Sequence, residues 1–132
     1  MEGNSWRVSA LASLLGLVLL CGLRAEDAKP SDEGKAEDFK GKVFDLKDKG
    51  EAAILLAFTA NSKVEISVKS DEKTDVNLFV YDSANKLIAK DDSEGPDCLL
   101  KFTVKEDGKL KLVVRNLGPG KNRSTLKVKV EK

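Results

Sequence analysis

TDVNLFVYD (residues 74–82), followed by NKLIAKDDSEGPDC (85–98) and GKLKLVVRNLGPG (108–120), is the stretch that decides the fold. Short β-branched and aromatic runs are cut by acidic or glycine turns, and no helix-period segment of useful length intervenes. Working outward, Lys63 to Lys69 alternates strictly: Val64, Ile66 and Val68 point one way, Lys63, Glu65, Ser67 and Lys69 the other. That is a strand with one wet face. The same logic turns Leu100, Phe102 and Val104 inward on a later strand, then Leu110, Leu112 and Val114, then Leu126, Val128 and Val130. Ala52–Phe58 and Val76–Tyr81 are apolar on both parities, which suits strands near the middle of a sheet. Eight strands are expected, near 42–46, 52–59, 63–69, 75–82, 86–90, 98–105, 109–116 and 124–131. The spacing of about ten residues between turns belongs to an all-β protein, an antiparallel β-sandwich of jelly-roll type. Asp48-Lys49-Gly50 and Glu106-Asp107-Gly108 place glycine where a reversal needs positive φ, Asn85 suits the left-handed position of its turn, and Gly118-Pro119-Gly120 marks a sharper loop.

The N-terminus has a different character. Arg7 precedes a 13-residue apolar run from Val8 to Leu20, and Leu23-Arg24-Ala25 offers a small residue at a cut, so residues 1–25 read as an export signal peptide. The run is shorter than the ~20 residues a membrane-spanning helix needs, so no stable membrane span is expected. The protein is accordingly read as secreted or periplasmic. Cys21 raises the alternative of a lipoprotein, against which Leu20 stands where a small residue is normally required. Glu26 to Asp38 holds carboxylates, lysines, Pro30 and Gly34 without a large apolar residue, and reads as a flexible charged leader to a domain spanning 39–132.

Cleavage after Ala25 removes Arg7, Arg24 and Glu2, so 23 basic and 22 acidic residues become 21 and 21. A neutral mature chain has no long-range field to collect polyanions, which argues against nucleic acid as a partner. Cys98 is then the sole cysteine, no intrachain disulfide can form, and its place at the start of an apolar strand points to burial. Histidine is absent from the sequence, which removes the Ser-His-Asp triad, the Cys-His pair and every histidine metal site. Cys98 would have only Lys101 nearby as a base, and Asp91-Asp92 project to opposite faces of an extended chain, so an enzyme is not expected. Burial between the sheets is expected for Phe79 and Tyr81, given the apolar area of their rings.

Three clusters invite a function. Asp75, Asn77, Asp82, Asp91, Asp92, Glu94 and Asp97 crowd the hairpin ends around TDVNLFVYD. Of these, Asp75, Asn77, Asp82, Asp91, Asp92 and Asp97 are the candidate ligands for Ca²⁺, a hard cation that takes oxygen donors converging from adjacent loops. They match no strict calcium loop, and turn formation with solvated charge accounts for the same residues. In the C-terminal third, ten lysines and arginines from Lys101 to Lys132 oppose three carboxylates. If those strands share one sheet, its outer face is a basic plate able to meet acidic cell-wall polymer or glycan; as the wet half of alternating strands, the lysines also guard against edge-to-edge pairing. Asn122-Arg123-Ser124 fits the glycan acceptor pattern.

Taken in order, FTANSKVEISV, TDVNLFVYD, AKDDSEGPDC, KFTVKEDGKLKLVVRNLG and STLKVKV resemble the bacterial pre-peptidase C-terminal domain, from about Val43 to Val130. They are also similar to the collagen-binding modules of secreted proteases. The resemblance implies a non-catalytic sandwich that aids secretion, protects a peptidase or binds extracellular polymer, sometimes with Ca²⁺. Asn77 stands where the family usually shows aspartate, and this sequence carries no peptidase beside the domain. The expected partner is thus an extracellular or cell-wall polymer or a secreted protein. The alternative is an inhibitor or secretion chaperone of a separately encoded secreted peptidase.

Overall fold

Alternation becomes pairing in the computed structural model, which describes residues 29–131. Among these residues nine strands form: β1 Ser31–Lys35, β2 Lys42–Leu46, β3 Glu51–Phe58, β4 Lys63–Ser70, β5 Asp75–Tyr81, β6 Leu87–Asp91, β7 Cys98–Thr103, β8 Gly108–Gly118 and β9 Asn122–Glu131, with a 3-10 turn at Ala36–Asp38. They make a four-stranded sheet ordered β2-β9-β4-β7 and a five-stranded sheet ordered β1-β3-β8-β5-β6. All strand pairs are antiparallel except β1 on β3. β3 and β5, the strands apolar on both parities, are interior strands as expected. The signal peptide and Cys21 lie outside the described residues.

The inward rows meet between the sheets. Ile66, Val68 and Leu126 from one sheet and Ile54, Leu56, Val76, Leu78, Val80 and Val114 from the other are fully buried in a single core. Leu100, Phe102, Val128 and Val130 pack against its margin as partly buried residues. Each fully buried side chain of this size contributes about 1.5–3 kcal/mol relative to exposure, so the core supplies the main driving force.

Two local features differ from the sequence reading. Residues 31–38 lie inside the stretch expected as leader, yet β1 pairs in parallel with β3 and Ala36 is buried. The order comes from neighbours rather than from its own apolar content: Lys42 Nζ meets Glu33 at 2.6 Å, and Lys109 Nζ meets Asp32 at 2.5 Å. In the β2–β3 turn the left-handed position falls on Lys49 (φ 65°) instead of Gly50, whereas Asn85 (φ 65°) takes it as expected. Gly118 (φ 77°) has no freedom to change, because a Cβ there would collide with the Asp48 carboxylate that accepts the Gly120 N–H at 3.2 Å.

Ile66→Ala, which opens a void where all sides are packed, is expected to cost about 2–5 kcal/mol. Urea denaturation checks this, with a lower midpoint at an unchanged slope.

Candidate functional site

β5, β6 and β7 bring part of the acidic set to one end of the sandwich. The Cys98 thiol, buried at the start of β7, donates to Val76 O at 3.1 Å. Burial, and after it the negative charges of Asp91, Asp75 and Asp97, push its pKa up to about 12. These three carboxylates are therefore neighbours of one buried sulfur, which is held as a neutral thiol.

Each carboxylate also holds a loop. Asp91 accepts from Ser93 N–H (3.1 Å), Ser93 Oγ (2.6 Å) and Leu99 N–H (2.8 Å). Burial raises its pKa, but these hydrogen bonds together outweigh burial, and the net shift is downward. Asp75 accepts from Gly95 N–H at 3.2 Å, and Asp97 accepts from Ser70 N–H at 3.2 Å. The remaining candidates stand apart. Asp82, at the far end of β5, accepts the Ala84 and Lys86 amides of its own turn, both at 2.9 Å. Asp92 pairs with Lys90 at 3.1 Å. Asn77 is buried, and its Oδ1 is the one buried side-chain oxygen or nitrogen among the described residues without a hydrogen-bond partner. No three Asp, Glu, Cys or His side chains among the described residues converge closely enough to hold a metal ion.

Sequence patterning gave no sign of a buried polar chain at the same end. Asn116 on β8 is fully buried and donates through Nδ2 to Lys47 O (3.0 Å) and Gly120 O (2.8 Å). Its Oδ1 accepts from Thr74 Oγ1 (2.7 Å) and Gly118 N–H (3.0 Å). Asn122 Nδ2 on β9 donates to Thr74 Oγ1 at 2.8 Å, and Ser124 Oγ donates to Asn122 Oδ1. Ser70 Oγ lies 3.0 Å from Ser124 Oγ and donates to Pro96 O at 2.6 Å. Asn122 is only 2% exposed with its amide engaged, so the folded domain presents no glycan acceptor there.

The two outer faces differ in how their charges are used. The ten basic residues do not share one sheet: β8 lies in the five-stranded sheet, while β7 and β9 lie in the four-stranded one. On the five-stranded sheet the cations of β8 are engaged. Arg115 Nε meets Glu51 at 2.9 Å, and its guanidinium lies 5.3 Å from the Phe79 ring centre. Lys111 donates to Asn85 Oδ1 at 2.8 Å and sits 4.9 Å from the Tyr81 ring centre, and Lys109 holds Asp32. Phe79 and Tyr81 are thus half-buried beneath cations on the outside instead of between the sheets, because Val76, Leu78 and Val80 take the inward parity.

The four-stranded sheet is different. Two hollows open on it, one of about 440 Å³ lined by Lys63, Glu65, Lys101, Thr103, Lys129 and Glu131, the other of about 250 Å³ lined by Phe39, Lys40, Glu65, Ser67, Lys127 and Lys129. They meet at Glu65 and Lys129. Lys101 approaches Glu65 at 3.8 Å, Lys69 pairs with Asp97 and Arg123 with Asp45, but the side chains of Lys40, Lys63, Lys127 and Lys129 have no ion pair or hydrogen bond among the described residues.

No protein-family model matches the chain, and no curated protein matches it in sequence. Among solved structures it is similar to the pre-peptidase C-terminal domain of collagenase from Bacillus anthracis, at 16% identity and a TM-score of 0.61, over 77% of this chain and 96% of that one. It is also similar to PliG of Aeromonas hydrophila, a periplasmic lysozyme inhibitor of g-type lysozyme, at 13% identity and a TM-score of 0.54, over 78% of this chain and all of that one. At such identities the likeness establishes the fold, and the sandwich is the one built by the pre-peptidase C-terminal domain.

Three measurements check this geometry. Asn116→Ala removes one side chain and strands partners in three loops; each orphaned buried group costs about 1–3 kcal/mol, so an overall loss of at least about 3 kcal/mol is expected in urea denaturation. Cys98 is expected to react with a soluble disulfide reagent at mildly alkaline pH about 10³-fold more slowly than in urea, where its pKa returns to about 8.5. The depressed carboxyl of Asp91 contributes stability that is present above the unfolded value of about 3.9 and is lost as pH falls through its lower folded value. Stability is therefore expected to drop below about pH 4, and Asp91→Asn to flatten that acid limb.

Proposed function

We propose that the chain is an exported, non-enzymatic β-sandwich that acts by surface recognition, as a binding or accessory module of the cell envelope or the extracellular space. The observation that carries this reading is the outer face of the four-stranded sheet, where four lysines stand unpaired among the described residues around two joined hollows. A surface kept only for solubility has no need of joined hollows ringed by unpaired cations. The thiol supports it from the other side: a sulfhydryl with a pKa of about 12 is no nucleophile. Export rests on residues 1–25 and agrees with the periplasmic setting of the similar lysozyme inhibitor. No helix among the described residues is long and apolar enough to cross a membrane.

The fold of the lysozyme inhibitor favours a second reading, in which the bound partner is a secreted hydrolase that this chain inhibits or escorts. Calcium is the optional part of either. Asp75, Asp91 and Asp97 each act on Cys98 but do not converge on a common point, so they, like Asp82, Asp92 and Asn77, would be brought onto an ion only by loop movement. Calorimetric titration of the mature chain with Ca²⁺, repeated on Asp75→Ala and Asp91→Ala, measures that part directly.

For the main reading, the mature chain is expected to co-sediment with envelope polymer or to retain a secreted protein of the source, without turning over peptide, ester or glycoside substrates. Turnover that tracks the folded chain through purification would overturn it. Stoichiometric loss of activity in a secreted peptidase or lysozyme on adding the chain would select the inhibitor reading.

A further inference from the structure

We propose that the outer face of the four-stranded sheet binds an acidic polysaccharide carrying a carboxylate on every second sugar, laid across the strands along the row Lys101, Glu65, Lys129. The assignment rests on the module reading above and gives it a surface and a ligand class.

The register sets the row. Glu65 on β4 lies directly opposite Lys101 on β7 and opposite Lys129 on β9. Adjacent strands lie about 4.8 Å apart, so the two lysines are roughly 10 Å apart with a carboxylate midway. The row therefore reads cation, anion, cation. A polymer with negative charge on each unit would set one charge over Glu65 and be repelled there. One with a hydroxyl-rich neutral sugar between two uronates places hydroxyl donors over Glu65 and a carboxylate over each lysine. Lys63 and Lys127 flank the row, and the hydroxyls of Thr103 and Ser67 line the same hollows. Glu65 is half-buried, so it offers a fixed acceptor rather than a free-swinging charge.

Other polyanions fit less well. An acidic peptide gains a main-chain ladder only at a strand edge such as that of β7, not across the outward side chains that line the hollows. Single-stranded nucleic acid brings a phosphate per nucleotide, which would set a charge over Glu65, and the rings that line the hollows, Phe39 and Phe102, are packed against the core as partly buried residues rather than standing free for bases to stack on. A saccharide needs only side-chain contacts, which is what this face presents.

The test is calorimetric titration of the mature chain with hyaluronan oligosaccharides, which alternate uronate with a neutral amino sugar. Polygalacturonate, dextran, poly-L-glutamate and single-stranded DNA serve as comparators. Hyaluronan is expected to bind most tightly and to weaken as salt rises. Lys127→Glu combined with Lys129→Glu is expected to lower its affinity at least about tenfold, or 1.4 kcal/mol, and the matching glutamine pair to fall between. Both variants should keep the wild-type melting temperature, and Lys86→Glu, exposed elsewhere, should leave affinity unchanged. Tighter binding of DNA or poly-L-glutamate, no preference over dextran, or equal losses from Lys86→Glu would each overturn the assignment. A chain that retains envelope polymer or a secreted protein yet ignores hyaluronan would overturn the assignment alone; one that retains nothing removes the module reading as well.

Discussion

The buried hydrogen-bonded chain through Asn116, Thr74, Asn122 and Ser124 is the constraint on which one end of this sandwich depends. Hydrophobic rows bring two sheets together but fix neither their rotation nor the course of the loops between them, since apolar contact has no direction. Asn116 belongs to the five-stranded sheet and Asn122 and Ser124 to the four-stranded one, so the chain of donors and acceptors crosses the core and specifies how the layers sit. It also reaches out to the carbonyls of Lys47, Gly120 and Pro96, tying three connecting segments to one point. In a low-dielectric interior such a network stabilises only when nearly complete, because each missing partner strands a polar group away from water.

That network was invisible in the sequence for a physical reason. Asn, Ser and Thr are turn residues by default, and nothing in the local pattern distinguishes an asparagine that shapes a turn from one that crosses a core. Asn122 shows the ambiguity best: its triplet has the form of a glycan acceptor, yet its amide is bonded to Thr74. Strand positions, by contrast, were plain from residues such as Val64, Ile66 and Val68, since side-chain alternation follows directly from strand geometry and survives any choice of topology. β1 escaped because Ser-Asp-Glu-Gly-Lys has no apolar parity at all; the ladder with β3 and two lysines distant in sequence hold it in place.

Topology also explains why the basic C-terminal third does not form one plate. Consecutive strands β7, β8 and β9 alternate between sheets, so charge that is contiguous along the chain divides between opposite faces. What results is more informative than a plate. On the five-stranded face Arg115 and Lys109 pair with Glu51 and Asp32, and Lys111 is held by the Asn85 amide and the Tyr81 ring. On the other sheet Lys42, Lys69, Lys101 and Arg123 pair with Glu33, Asp97, Glu65 and Asp45, while Lys40, Lys63, Lys127 and Lys129 have no side-chain partner among the described residues.

The acidic end follows the opposite logic. Asp75, Asp91 and Asp97 use backbone amides from the segment between β6 and β7, from the start of β7 and from the end of β4. Surrounding Cys98 with negative charge disfavours a second anion, so the same carboxylates that order the loops keep the thiol protonated. A cation arriving there would compete with those amides for carboxylate lone pairs, and any gain in coordination would be offset by loosening of the loop. Recognition on the lysine face meets less conflict: of the cations there Lys101 alone gives up a contact, the 3.8 Å approach to Glu65, the ladder beneath stays intact, and the remaining cost is the ordering of long side chains, at roughly 0.5–1.5 kcal/mol each.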